Sequence, residues 1–244
     1  MHKIPFKNYN YFQNNAIIFP DVKLKHNYGN NQILHFCTAN RPLTDHLSTI
    51  NYIKKHMRGC IIFDCDADIL KFTLESVKTV TNSLIIEFGV CTGKTINIIA
   101  ALNSKNVVYG FDSFDGLPED WRTGANKGTF KLSDDIVPPL LANVSIYKGM
   151  FEDTIPQFKN EIKDTPISLI HIDCDLYSST KSIFKYLSTN IVVGTFLLFD
   201  EYFNYDGWEE HEHKSFIEFI QHTNLSFEYI AYNKFHEQVL VRIC

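Results

Sequence analysis

At 244 residues and 45% hydrophobic content, the chain is long enough to bury a full core, and one large α/β domain is the expected organisation. Its net charge of −5 excludes the basic footprint of a nucleic-acid binder. The opening Met1-His2-Lys3-Ile4-Pro5-Phe6-Lys7-Asn8 has no long apolar core and no small-residue cleavage site, so no signal peptide is expected. The longest apolar run, Ile191 to Phe199, is too short to span a bilayer.

Residues 1–42 are rich in Asn and Tyr and show little periodicity. Leu43, Leu47, Ile50, Ile53 and Met57 then recur at helical spacing, with Thr44 or Asp45 as N-cap and Gly59 ending the helix. A second helix is expected over 68–80, with Ile69, Phe72, Thr73, Val77 and Val80 on one face. The two form a helical cap beside the main sheet, so residues 1–83 read as an N-terminal extension and 84–244 as the main domain.

From residue 84 short apolar runs alternate with helices, the signature of a parallel sheet with crossovers. Strands are expected at 84–89, 107–111, 143–147, 167–172 and 194–199, and helices at 93–103, 178–189 and 209–222. Two last strands, 226–232 and 237–243, have no helix between them and form an antiparallel hairpin. Five parallel strands plus that hairpin resemble the layout of a Rossmann-like class I methyltransferase sheet, the expected α/β fold. The long segment 113–142, with Gly116, Pro118, Gly124, Gly128, Pro138 and Pro139, reads as a functional lid.

The run Leu84-Ile85-Ile86-Glu87-Phe88-Gly89-Val90-Cys91-Thr92-Gly93 is a buried strand entering an acidic, Gly-containing turn before a helix. A second strand ends at Gly110-Phe111-Asp112, followed by Ser113. Carboxylates at two strand ends suit the ribose hydroxyls of a nucleoside cofactor, bound at the carboxyl edge of an open α/β sheet. Cys91 and Thr95 stand where a pyrophosphate-binding G-x-G-x-x-G needs glycine, so the cofactor expected is S-adenosylmethionine. Gly89 and Gly93 let the backbone approach it, and the helix N-terminus after Thr92 and Gly93 faces its carboxylate. Glu87 taken alone reads as a solvated strand end; paired with Asp112 it reads as a cofactor ligand.

Asp173 and Asp175 end the fourth strand, and Asp200 and Glu201 end the fifth. Three or four carboxylates at one edge need a cation, and oxygen ligation suits Mg²⁺. Asp175 serves equally as a cap for the helix beginning at Ser178. The run Glu209-Glu210-His211-Glu212-His213 reads as a solvated helix face, because histidines at i, i+2 diverge on a helix. Trp208 with Tyr205 and Gly207, and Trp121, Arg122 and Lys127 in the long loop, are placed to close over an acceptor; Arg122 or Lys127 would pair with an acceptor phosphate. Six scattered cysteines, Cys37, Cys60, Cys65, Cys91, Cys174 and Cys244, contain no CxxC pair, which argues against zinc and fits a reducing cytoplasm.

Five ordered motifs carry a resemblance. Glu87-Phe88-Gly89-Val90, Gly110-Phe111-Asp112-Ser113-Phe114-Asp115-Gly116-Leu117-Pro118-Glu119, Gly149-Met150-Phe151-Glu152-Asp153-Thr154-Ile155-Pro156, His171-Ile172-Asp173-Cys174-Asp175-Leu176-Tyr177-Ser178-Ser179-Thr180 and Asp200-Glu201-Tyr202 together resemble the macrocin O-methyltransferase family over residues 84–220. The resemblance implies methylation of a sugar hydroxyl with S-adenosylmethionine and a divalent metal. It implies metal ligation by Asp173, Asp200 and Glu201, ribose contact by Asp112, and adenine contact around Glu152 and Asp153. Catechol-type methyltransferases carry a lysine three residues after the first metal aspartate; Leu176 stands there in this chain. The candidate bases are therefore Asp173, His171 and Asp175 in falling order, with His171 expected to face away from Asp173 as a core histidine.

The expected acceptor is a sugar or nucleotide sugar, free or in a surface-polysaccharide precursor or glycoside. Two alternatives stand beside it. Asp173-Cys174-Asp175 is the D-x-D of a metal-dependent glycosyltransferase, a motif that Asp64-Cys65-Asp66 also matches by chance. A non-catalytic protein binding S-adenosylmethionine or sugar is the other. Residues 1–83 either shape the acceptor pocket or form a subunit contact, as in a homodimer.

Overall fold

The structure, a computed structural model, describes residues 46–77, 83–132 and 137–244, together with the backbone of three short strands before them, β1 (Lys3–Ile4), β2 (Ala16–Ile18) and β3 (Ile33–His35). Leu43, the expected caps Thr44 and Asp45, Cys37 and the helix end at Val80 lie outside the described residues. The elements that follow are α1 (Leu47–His56), β4 (Ile61–Phe63), α2 (Asp66–Val77), β5 (Leu84–Phe88), α3 (Lys94–Leu102), β6 (Val108–Asp112), β7 (Leu140–Leu141) and β8 (Val144–Lys148). After them come α4 (Phe151–Ile162), β9 (Ile167–Ile172), α5 (Tyr177–Leu187), β10 (Phe196–Phe199), α6 (Glu212–His222), β11 (Phe227–Asn233) and β12 (Val239–Ile243).

Eight strands form one sheet in the order β4-β11-β12-β10-β9-β5-β6-β8. The five strands from β10 to β8 are mutually parallel, and β11 and β12 form the expected antiparallel pair beside β10. The edge strand β4, parallel to β11, was not expected. The segment between α1 and α2 thus extends the sheet itself.

Side-chain alternation along the strands builds two cores. Ile86, Phe88, Ile170, Ile172, Leu197 and Phe199 face one side, where α4, α5 and α6 cover them. Ile85, Leu169, Phe196 and Leu198 face the other, against α2 and α3. Helix α4 is a second departure from expectation. Its apolar residues Phe151, Ile155, Phe158 and Ile162 keep helical spacing, but Pro156 within it reads as a breaker. Among the described residues no helix is long and apolar enough to cross a membrane.

Helix α1 is fastened to the sheet by polar contacts. Trp208 Nε1 donates to Ser48 Oγ at 3.0 Å, and Tyr52 OH lies 2.5 Å from Tyr229 OH, which lies 2.6 Å from Tyr202 OH. His213 Nε2 lies 3.0 Å from Tyr52 OH, and burial pushes its imidazole down to about 4. The unfolded chain therefore binds a proton between pH 6.5 and 4 that the folded chain refuses, so stability is lost as pH falls through this window. Measured by urea unfolding at pH 7 and pH 4, His213→Gln should remove an acid-side loss of up to about 3 kcal/mol. An unaltered difference between the two pH values would refute the assignment.

Candidate active site

The carboxyl ends of β5, β6, β9 and β10 are aligned by ladder bonds that run one rung past the strands. Gly89 N donates to Phe111 O at 3.0 Å, Asp173 N to Phe88 O at 2.9 Å, and Asp200 N to Ile172 O at 2.8 Å. These bonds bring Asp112, Asp173 and Asp200 to one edge, as the sequence implied. Gly89 is needed for a reason other than cofactor approach: a Cβ there would stand 1.5 Å from the Asp173 carbonyl oxygen. Gly93, with φ of 79°, starts α3.

Two cavities open on this edge and share Cys91 and Asp173. The first, about 330 Å³, is lined by Asp112, Ser113, Leu117, Glu119, Phe151, Glu152 and Asp175, among others. Asp112 is held by the backbone: Oδ2 accepts from Cys91 N at 2.7 Å and Oδ1 from Phe114 N at 2.6 Å. Burial raises its pKa against these bonds. Cys91 itself adopts a left-handed φ of 43°, where the turn would otherwise use glycine. Burial first, then the nearby Asp112 and Asp173, push its thiol up to about 12, so it is an inert wall. Glu152 accepts from Ser182 Oγ at 2.6 Å and Glu119 from Ser178 Oγ at 2.5 Å. Asp153 is exposed and does not line the cavity, because the first turn of α4 turns it outward.

The second cavity, about 210 Å³, is lined by Asp66, Thr92, Lys94, Thr95, His171, Asp200, His236 and Gln238, among others. Lys94, His236 and Gln238 were not singled out in the sequence, and Asp66 from α2 stood only in a chance D-x-D match. Here Lys94 Nζ lies 3.7 Å from Asp66 Oδ2, and Gln238 Nε2 donates to Asp200 Oδ1 at 2.8 Å. The D-x-D at residues 64–66 therefore places one carboxylate in this cavity, while Asp64 pairs with Lys234 outside it.

Strand alternation explains two corrections. His171 and Asp173 are two residues apart, so they share a face, contrary to the expectation for His171. His171, Asp173 and Asp200 present ligand atoms that all lie within 4.8 Å of one another. Glu201 contributes no atom to that set, although its buried carboxyl is close enough to Asp200, Asp175 and Asp173 for their charges to act on it. Glu87 faces the α2–α3 side, fully buried, and lines neither cavity. Its Oε2 lies 3.1 Å from His171 Nδ1, so its partner is an imidazole and not a ribose.

The electrostatics follow from burial of like charges. Burial, reinforced by Asp200, raises Asp173 well above the usual carboxylate range, and burial does the same to Glu201. Burial works to raise Asp200 as well, but His171 holds its carboxyl below the ordinary range. Burial opposes a charge on His171, yet Asp200 and Glu87 on either side raise its pKa well above normal. Asp175 is pushed up to about 7 by burial first; Arg122 acts against that and Asp200 adds to it. Asp175 is not a helix cap: α5 starts from Leu176, and the Asp175 side chain lines the first cavity.

The acidic run before α6 is not simply a solvated face. Glu209 and Glu210 are exposed, but Glu212 is fully buried. Glu212 accepts from Cys174 N and Glu201 N, both at 3.4 Å, and so spans the ends of β9 and β10. Trp208 is core against α1, not a lid. The loop after β6 closes on itself, with Leu117 N donating to Thr129 O at 2.9 Å and Trp121 N to Ala125 O at 3.0 Å, and its Ser113, Leu117, Glu119 and Phe130 line the first cavity. Arg122 stacks 3.8 Å over the Trp121 ring and donates to both Glu237 oxygens at 2.9 Å, tying the loop to the β11–β12 turn. Its guanidinium is therefore engaged rather than held open for an acceptor phosphate. Lys127 is exposed on the same loop.

Five parallel strands followed by an antiparallel pair, with helices on both faces, form the class I methyltransferase fold. Residues 86–202 match the family model described as "Methyltransferase domain". Among solved structures, CalS11, a calicheamicin methyltransferase, is similar with a TM-score of 0.54 and 19% identity, over 82% of this chain and 88% of that one. An apo structure of CalS11, described as a TDP-rhamnose 3'-O-methyltransferase, gives a TM-score of 0.53 and 18% identity over 82% and 89%. The O-methyltransferase NovP gives 0.55 and 20% over 71% and 78%. No curated protein matches the chain.

Proposed function

We propose that the protein is an S-adenosylmethionine-dependent O-methyltransferase of the macrocin type, assisted by a divalent cation and acting on a sugar hydroxyl. One observation carries this reading: two cavities meet at Cys91 and Asp173, one containing the backbone-held Asp112, the other the His171, Asp173 and Asp200 cluster. The first suits an adenosine. Each Asp112 oxygen already accepts one N–H and keeps a lone pair for a ribose hydroxyl. Ser113 is beside it, and Leu117, Met150 and Phe151 offer apolar walls to a purine, with Glu152 at the rim. The second suits an amino-acid end, with Thr92, Lys94 and Thr95 at the N-terminus of α3 for a carboxylate and Asp66 for an ammonium group. By this reading the extension 1–83 contributes to the site of domain 84–244.

A cation fits the donor set. Asp173 and Asp200 converge with an imidazole, and Glu201 Oε2 is buried nearby without a partner. Asp173 and Asp200 would hold the ion, Mg²⁺ being the simplest choice for carboxylates, and its chemistry there is to acidify an acceptor hydroxyl. S-adenosylmethionine brings an already activated methyl group. The chain's own part is to orient the ribose through Asp112, to exclude water with the 113–132 loop, and to take the hydroxyl proton. Asp175 is the base best placed for that: it faces the first cavity, whereas His171 is buried between Glu87 and Asp200 and Asp173 belongs to the cluster. The nucleotide-sugar acceptor is supported by the description of CalS11, and the cytoplasmic setting by five free cysteines among the described residues.

The glycosyltransferase alternative is weaker, since Asp173 joins the candidate metal cluster and Asp175 does not. Calorimetric titration should show binding of S-adenosylmethionine. Asp112→Ala should weaken it roughly 10- to 100-fold, as expected for lost hydrogen bonds to a charged group. Labelled methyl transfer to a panel of nucleotide sugars, with and without EDTA, tests the rest. Binding of a sugar nucleotide but not of S-adenosylmethionine would overturn the reading.

A further inference from the structure

We propose that His171 is itself a metal ligand, oriented by Glu87, so that the centre is a one-histidine, two-carboxylate site suited to a transition-series divalent ion rather than to Mg²⁺. This rests on the metal-assisted reading above and changes its ligand set and its metal. Register and alternation put the participants in one row. Glu87 pairs with His171 across β5 and β9, and His171 pairs with Leu198, two residues before Asp200, across β9 and β10. Glu87, His171, Asp173 and Asp200 therefore all point to the α2–α3 face.

Within that row the imidazole has one nitrogen for each neighbour. Nδ1 lies 3.1 Å from Glu87 Oε2, and Nε2 lies 3.5 Å from Asp200 Oδ1. An Nδ1–H donated to Glu87 fixes the tautomer that leaves the Nε2 lone pair directed at the carboxylates. Two ligand atoms 3.5 Å apart can both reach one ion at about 2.1 Å. Carboxylate, histidine and metal in line is the usual outer-shell arrangement of histidine ligands, and it explains a feature otherwise hard to place. Glu87 is fully buried beneath the edge, and among the described residues its Oε1 has no hydrogen-bond partner. A buried carboxylate in that position serves to orient the imidazole as a ligand.

Glu201, by contrast, contributes no atom to that cluster, and its backbone N–H is taken by Glu212. Asp200 is also oriented, by Gln238 Nε2 at 2.8 Å. Two carboxylates and an imidazole form a mixed oxygen–nitrogen set, which suits Mn²⁺, Co²⁺ or Zn²⁺ better than the oxygen-only preference of Mg²⁺.

The test uses the full chain loaded with Mn²⁺ alone and reads electron spin-echo modulation from directly bound ¹⁴N. The unsubstituted protein should show ¹⁴N coupling. His171→Leu should abolish it, and His236→Ala, whose imidazole lines the same cavity, should retain it. Glu87→Gln should weaken Mn²⁺ about 10- to 100-fold by calorimetry while the protein stays folded. Mn²⁺ should also bind more tightly than Mg²⁺. Bound Mn²⁺ with oxygen neighbours only, or equal Mn²⁺ and Mg²⁺ affinity, would overturn this inference and leave the metal-assisted reading standing. Failure to bind Mn²⁺ at all would overturn both, and coupling lost in His236→Ala instead would move the ligand to that residue and overturn the assignment to His171.

Discussion

Replacing Asp175 with asparagine is expected to lower kcat about 10²- to 10⁴-fold, the range for loss of a general base. The affinity for S-adenosylmethionine should change little, because Asp175 is not part of the ribose site proposed here. The pH dependence makes the prediction specific. Burial, with Asp200 adding to it and Arg122 acting against it, sets Asp175 at about 7. Below that pH the carboxyl already carries its proton and cannot accept another. Turnover in the unsubstituted protein should therefore rise with pH and level off above about 7. A bound divalent cation favours the ionised form and should shift this rise to lower pH. Asp175→Asn should be slow at every pH and lack the rise. Steady-state kinetics from pH 5.5 to 9 decide the matter; full activity in Asp175→Asn, or an unchanged rise, would return the role to Asp173.

Much of this arrangement was legible in the chain. The buried strands β5, β9 and β10 are continuous apolar runs, and such runs end where a polar residue meets the sheet edge. Asp112, Asp173 and Asp200 could be placed at that edge for this reason alone. What failed was the assignment of faces and the reading of charged residues in tertiary context. Side chains two residues apart along a strand share a face. His171 obeys that rule, being two residues from Asp173. Glu212 sits in a run of charges whose local pattern reads as solvent-facing. Its burial is decided by two backbone N–H groups at the ends of β9 and β10, which no local window contains. Asp66 and His236 enter the site from opposite ends of the chain, and only the completed sheet brings them together. Helix α4 did carry its signal, in the spacing of Phe151, Ile155, Phe158 and Ile162. The strand β4 did not: Ile61 and Ile62 are exposed at the sheet edge, and three residues show no usable period.

The largest effect on stability is expected at Gly89. A Cβ at that position would stand 1.5 Å from the carbonyl oxygen of Asp173 and 2.5 Å from its carbon. Both obstacles are backbone, so no side-chain rotation relieves the clash. Relief requires the ends of β5 and β9 to separate, which breaks the Asp173 N to Phe88 O bond of 2.9 Å and moves Asp173 away from Asp200. Gly89→Ala should therefore cost more than about 4 kcal/mol, at the far end of single-residue effects. For a chain of this size that is a fall in Tm of about 8–16 °C. Gly124→Ala separates the two components of the effect. Gly124 has a similar φ of +86° against +91° at Gly89, but nothing lies within 4 Å of its added Cβ. It should show only the left-handed backbone penalty of about 1–2 kcal/mol. The difference between the two variants, read by thermal and urea unfolding, isolates the close approach of the strand ends. Equal losses would mean that Gly89 is needed for its dihedral alone and that the ends of β5 and β9 tolerate separation. In that case Asp173 would not be held in place by this contact, and the geometry of the cluster would have to be maintained from β10 and α6.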